Sequence, residues 1–206
     1  MILSGYQPIL EADLEGDDMR ECLFVHAGHA AILRLPCEEN EASPPLWQSP
    51  DGWRVVRGML TDLDGDGSTE ATLLVWRPYQ RWAIDAFLIH PGRLDSFQDD
   101  QGNSCHVILI GTRPSRPGLY RELWAGSAMA APFLDLAAAD LDRDGRQELV
   151  ALEGDYQDNI NNTGGALTVW QWNGFGFTLS SRVDGNFYSL QLVQNTDGKI
   201  HILTKR

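Results

Sequence analysis

The chain has 206 residues, with 29 acidic side chains against 16 basic ones, a formal charge of −13 and 43% hydrophobic residues. This is the composition of an ordinary globular protein, long enough for one sizeable core or two small ones. The charge argues against nucleic acid and anionic lipid as partners, because phosphates need a basic face, and no run approaches the ~18 apolar residues of a membrane-spanning helix.

In chain order, Met1-Ile2-Leu3-Ser4-Gly5 has no basic flank and too short an apolar stretch for a signal peptide. The expectation is therefore a protein that stays inside, or one whose export signal was cut off before this chain begins. An acidic segment, ADLEGDDMRECLFV, starts at Ala12. His26 and His29 flank Ala27-Gly28, which reads as a hairpin turn; zinc is disfavoured because no Cys or third His lies at a suitable spacing. Residues 53–60 read as a strand and lead into a second acidic segment, TDLDGDGSTEATLLV, from Thr61. Strands are expected over 71–76, 83–89 and 106–111, with Asp99-Asp100-Gln101-Gly102-Asn103 before the last of these. Residues 127–139 are Ala-rich, but Pro132 interrupts them, so they read as a loop followed by a strand. The third acidic segment, ADLDRDGRQELVAL, starts at Ala139, and strands are expected over 149–152 and 166–172. Between these two, residues 153–165 form a long polar loop holding the sequon Asn161-Asn162-Thr163. Asn173-Gly174 reads as a tight hairpin turn, and Asn195-Thr196-Asp197-Gly198 lies between short strands at 188–193 and 199–204. No segment shows a convincing helical period.

The three cysteines, Cys22, Cys37 and Cys105, form no CxxC pair and are an odd number. They read as buried thiols acting as small hydrophobes, with a Cys22–Cys37 bridge as the alternative. The seven tryptophans read mainly as packing residues.

The three acidic segments align without gaps, starting 49 and 78 residues apart. Each carries acids at positions 1, 3, 5 and 9: Asp13, Glu15, Asp17 and Glu21; Asp62, Asp64, Asp66 and Glu70; Asp140, Asp142, Asp144 and Glu148. Position 6 is Gly67 or Gly145 in the later two and Asp18 in the first. Worn copies fit near 99–107 and 195–198, which gives five units of about 41 residues, the size of a four-stranded propeller blade. The expected fold is thus a single all-β domain over 1–206, a small β-propeller of about five blades.

Carboxylates at alternate positions converge as a loop curls, and glycine permits the sharp bend, an arrangement that suits a hard cation taking six to eight oxygens. Ser68 or Arg146 at position 7 would add a backbone carbonyl. An EF-hand closes its shell with Glu at position 12, where these loops have Leu73 and Ala151. The thirteen acids of the three loops equal the whole acidic excess of the chain. Four carboxylates within nine residues repel one another unless a cation or solvent screens them; the alternative is a solvated acidic turn whose Asp residues cap local N–H groups.

TDLDGDGSTEATLLV and ADLDRDGRQELVAL resemble FG-GAP repeats, also called VCBS-type repeats, a family that includes the calcium-loop blades of integrin α-subunit propellers. The resemblance implies that each loop joins the first and second strands of a blade. It also implies Ca²⁺ held by the loops at Asp62 and Asp140, with a third site at Asp13, and a role in adhesion or recognition outside the cytoplasm. The literal Phe-Gly…Gly-Ala-Pro signature is not present. The functional expectation is a non-enzymatic recognition, adhesion or scaffolding module for a protein or glycan partner, at the cell surface, in the periplasm or secreted. The alternatives are a glycan-processing hydrolase on the same fold and a structural domain of a larger exported protein. No GxSxG, HExxH, P-loop or dinucleotide fingerprint is present.

Overall fold

The structure, a computed structural model, describes residues 9–37, 44–80, 97–113, 115–157 and 163–205. The strand expected at 83–89, the segment 1–5 and the sequon at Asn161 and Asn162 lie outside the described residues.

Every described regular element is a strand: β1 (Leu10–Ala12), β2 (Glu21–His26), β3 (His29–Arg34), β4 (Trp47–Gln48), β5 (Arg54–Thr61), β6 (Glu70–Pro78), β7 (Asn103–Arg113), β8 (Arg116–Ala125), β9 (Phe133–Ala139), β10 (Glu148–Glu153), β11 (Gly164–Trp172), β12 (Phe177–Phe187), β13 (Gln191–Gln194) and β14 (Ile200–Leu203). They form three four-stranded sheets, each in sequential order (β1 to β4, β5 to β8, β9 to β12), and a two-stranded sheet of β13 and β14. The sequence has the matching texture. The inner strands β6, β7 and β10 read as nearly unbroken apolar runs and are buried along almost their whole length, whereas the outer strand β12 is exposed over most of its residues.

The turns carry the residues they need. The β2–β3 hairpin turns on Ala27 and Gly28, both with positive φ, so that His26 pairs with His29 across the first rung. Gly174 has φ +90° at the tip joining β11 and β12, where Asn173 accepts the amides of Phe175 and Gly176.

The chain divides into two compact units, one of Met1–Val75 with Val107–Ala125, the other of Trp76–His106 with Gly126–Arg206. In the first unit Leu23, Ile32, Leu73, Val75, Ile108 and Ile110 form one buried cluster. Gly58 lies close against it: a Cβ there would come within 2.7 Å of Val25 Cγ2. In the second unit Phe133, Leu136, Leu149 and Val150 are buried, and the Phe133 and Trp170 rings pack 5.8 Å apart. His106 in this unit is buried between Ser104 Oγ (2.8 Å) and the Gly126 carbonyl (2.9 Å), and burial pushes its pKa down to about 4. It is a neutral core histidine.

The cysteines depart from the expectation of three free thiols. Cys22 on β2 and Cys37, just past β3, form a disulfide with their Cα atoms 5.7 Å apart; Cys105 alone is a buried thiol. The β2–β3 hairpin brings the two residues together, a proximity that a fifteen-residue separation does not reveal.

Candidate metal centre

The three acidic loops occupy the same place in their sheets. The loop from Asp13 joins β1 to β2, that from Asp62 joins β5 to β6, and that from Asp140 joins β9 to β10; each connects the first strand of a sheet to its second. Residues 195–199 join β13 to β14. The turn at Asp99 lies elsewhere, leading directly into β7, the third strand of its sheet, with Asp99 accepting the amides of Gln101 and Asn103.

The backbone of the three loops follows one path. Position 4 is left-handed in all three (Gly16, Gly65, Arg143), and so is position 6 (Asp18, Gly67, Gly145), with φ from +66° to +89°. Gly67 and Gly145 adopt this freely, while Asp18 does so as one of the few side chains that tolerate it. The curl aims amides at the first carboxylate: Asp140 accepts from Arg143, Asp144 and Gly145, and Asp13 from Gly16, Asp17 and Asp18. Burial opposes ionisation of Asp13, but those amides outweigh it and hold its pKa below the usual value. Asp62 accepts from Gly67. At position 5, Asp66 accepts from Ser68 and Asp144 from Arg146.

The ninth position separates the loops. Glu21 accepts the Leu14 amide at 2.9 Å, and Glu148 accepts the Leu141 amide at 2.8 Å. Glu70 is 1% exposed, and neither of its carboxylate oxygens has a hydrogen-bond partner. Burial, then the charges of Asp64, Asp66 and Asp62, push its pKa up to about 9. Asp64 is raised by burial and by Asp66; Glu148 and Glu21 are raised chiefly by burial, less the help of the amides they accept.

Two sets of carboxylates converge. Asp62, Asp64, Asp66 and Glu70 each place an oxygen within 4.8 Å of the others, as do Asp140, Asp142 and Glu148. Asp144 is outside the second set, and among the described residues Asp13, Glu15, Asp17 and Glu21 form no such set. Glu15 turns instead toward Tyr120 and Gly118 of β8, its Oε2 lying 3.8 Å from where a Cβ on Gly118 would be. Ser68 and Arg146 lie at the seventh positions, where their amides donate to Asp66 and Asp144. Glu11 lies near Cys22 and Cys37, but a disulfide leaves no thiolate to hold a metal. Sequence reading missed the groups that β7 and β8 bring beside the first two loops, Gly111, Tyr120 and Leu123, because nothing in the sequence links them to loops so much earlier in the chain.

The residues present fit a hard divalent ion: oxygen donors only, one of them buried without any other partner. What the fold and these loops define is an all-β protein with acidic clusters able to hold a metal ion. No protein-family model matches the sequence, and no curated protein matches it significantly.

Proposed function

We propose that the chain is a calcium-binding module of the FG-GAP or VCBS kind, a β-propeller of about five blades in which Ca²⁺ at the Asp62 and Asp140 loops pins the first two strands of a blade. The observation that carries this reading is Glu70. Burying an ionisable carboxylate without a partner costs several kcal/mol, roughly, and a cation shared with Asp62, Asp64 and Asp66 removes that cost. The position of the loops between first and second strands supports the family likeness, and strands on either side disfavour an EF-hand. The module serves recognition, adhesion or scaffolding toward a protein or glycan partner outside the cytoplasm. The Cys22–Cys37 bridge supports that compartment, since disulfides persist where the surroundings are oxidising. Weak calcium sites also fill only where calcium is near millimolar.

Thermal unfolding followed against added calcium tests the proposal. At ~1 mM calcium, a site with a dissociation constant near ~0.1 mM stabilises the fold by roughly 1.4 kcal/mol. Asp64→Ala and Asp142→Ala should each remove part of the rise, and together all of it. A melting temperature indifferent to calcium overturns the reading.

A further inference from the structure

Within the first unit, the loop at Asp13 and the loop at Asp62 face each other across a cavity of about 350 Å³. A single water occupies about 30 Å³ of liquid, and small-molecule pockets begin near 300 Å³, so the space suits a ligand of several heavy atoms rather than one bare ion. Glu15 lies on one wall and Glu70 on the other; Leu14 and Leu123 supply apolar lining, and the hydroxyl residues Ser68, Thr69 and Thr112 also face it. Gly111 helps to keep the space open: a Cβ there would come within 2.8 Å of Leu123 Cδ1 and 3.4 Å of Glu70 Cγ.

The unpartnered polar atoms at this cavity are all acceptors. Glu70 lines it with both oxygens lacking hydrogen bonds while 99% of the residue is buried, and Glu15 Oε1 is shielded from solvent and likewise without a hydrogen bond. Behind Glu15, the hydroxyl of Tyr120 is close enough to feel its charge but does not reach hydrogen-bonding geometry. Among the described residues, Glu15 shares no set of three ligand atoms within 4.8 Å with the second loop. No Lys or Arg lines the space. Even with a divalent ion on Asp62, Asp64, Asp66 and Glu70, two negative charges remain on that loop, and Glu15 adds another.

We propose that this cavity binds a primary alkylammonium group, its N–H donors shared between Glu70 and Glu15 and its methylene stem lying against Leu14 and Leu123. Ammonium supplies three donors and a positive charge to the two carboxyl groups that lack hydrogen-bond partners, Glu70 and Glu15, in a lining with no basic residue. The group can come from a free aliphatic diamine or from a lysine side chain of a protein partner. The site shares Glu70 with the proposed calcium loop but does not need the ion.

The test is a titration of the isotope-labelled wild-type protein, followed by amide NMR shifts, with 1,5-diaminopentane, with Nα-acetyl-lysine methylamide, and with neutral 1,5-pentanediol. Each is run in millimolar calcium and again in chelator. The expected result is saturable shifts at Thr69, Gly111 and Thr112 for the ammonium probes and none for the diol. A response to the diamine alone assigns the site to free amines; a response to both assigns it to a lysine side chain as well. Glu15→Gln should weaken binding about tenfold, the worth of one charge-assisted hydrogen bond, and Asp51→Asn, which removes an exposed charge elsewhere, should not. If Glu15→Gln does not fold, Glu15→Asp, with its shortened carboxylate, takes its place with the same expectation. Absence of saturable shifts, an equal response to the diol, or indifference to the Glu15 change overturns the proposal. Complete loss of amine binding in calcium also overturns it, since the amine would then merely be replacing the metal. Calcium-dependent melting of the same sample reads the metal sites separately, so failure of one is not mistaken for failure of the other.

Discussion

Glu70→Gln should change sign with calcium. In metal-free protein the Glu70 carboxyl has its pKa raised from 4.5 to about 9 by burial and by three neighbouring acids. Between those values the folded chain holds a proton that the unfolded chain has released, so stability falls as pH rises through this window. One pKa unit is about 1.4 kcal/mol, and the 2.5 units from 4.5 to pH 7 give an upper bound near 3 kcal/mol, reduced to about 2 by solvent screening at the loop. A neutral amide escapes this penalty. In chelator, Glu70→Gln should therefore melt roughly 4–8 °C above wild type at pH 7, with the gap widening toward pH 9 and closing near pH 4.5. In calcium the order should reverse, because the variant has lost a ligand of the ion. Calorimetry or circular dichroism over this pH range, with and without calcium, reads both arms. A variant less stable than wild type in chelator at every pH, or a gap that does not vary with pH, refutes the reasoning.

Other outcomes follow from the same geometry. Equilibrium dialysis should find two calcium ions per chain, with Asp17→Asn leaving that number unchanged, because the loop at Asp13 brings no three carboxylates together. Reducing the Cys22–Cys37 bridge, or replacing both residues by Ser, should lower stability by about 3 kcal/mol for its fifteen-residue loop, visible as a drop in melting temperature on adding dithiothreitol. Gly58→Ala should destabilise by about 1–3 kcal/mol in denaturant unfolding, since the new methyl meets Val25 Cγ2 at 2.7 Å and Leu23 Cδ2 at 3.1 Å inside the core of the first unit.

The all-β class and most strand positions were legible because each strand is short, apolar and bounded by Gly, Pro, Asn or Asp. The run from Ala71 to Trp76 and that from His106 to Gly111 lie within β6 and β7, and the interruption at Pro132 does precede β9. The loops were legible for a different reason: their acids and glycines repeat at fixed positions, and positions 4 and 6 take the same left-handed backbone in all three, even where Asp18 and Arg143 stand in for glycine. What could not be read is whatever depends on a distant strand. The turning of Glu15 toward β8 needs Tyr120, more than a hundred residues away, whereas the Cys22–Cys37 bridge, an open alternative in the sequence, forms at the local β2–β3 hairpin.

That long-range part explains why loops of nearly equal sequence are not equal sites. At position 9, Glu21 and Glu148 each take a backbone amide seven residues back and so complete a local hydrogen bond whether or not an ion is present. Glu70 has no such bond although it is 1% exposed, with Gly111 lying close against its side chain. The metal-free state at Asp140 is therefore a satisfied acidic turn with modest gain from calcium, while at Asp62 it leaves a buried carboxyl that holds a proton at neutral pH and has no hydrogen-bond partner. Binding energy is the difference between the two states, so the less comfortable loop gains more from the ion. Calcium should fill the Asp62 loop first, and a titration resolved by NMR should show Glu70 and its neighbours shifting before Glu148. The opposite order would mean that the proton held by metal-free Glu70 relieves that loop as well as the ion does.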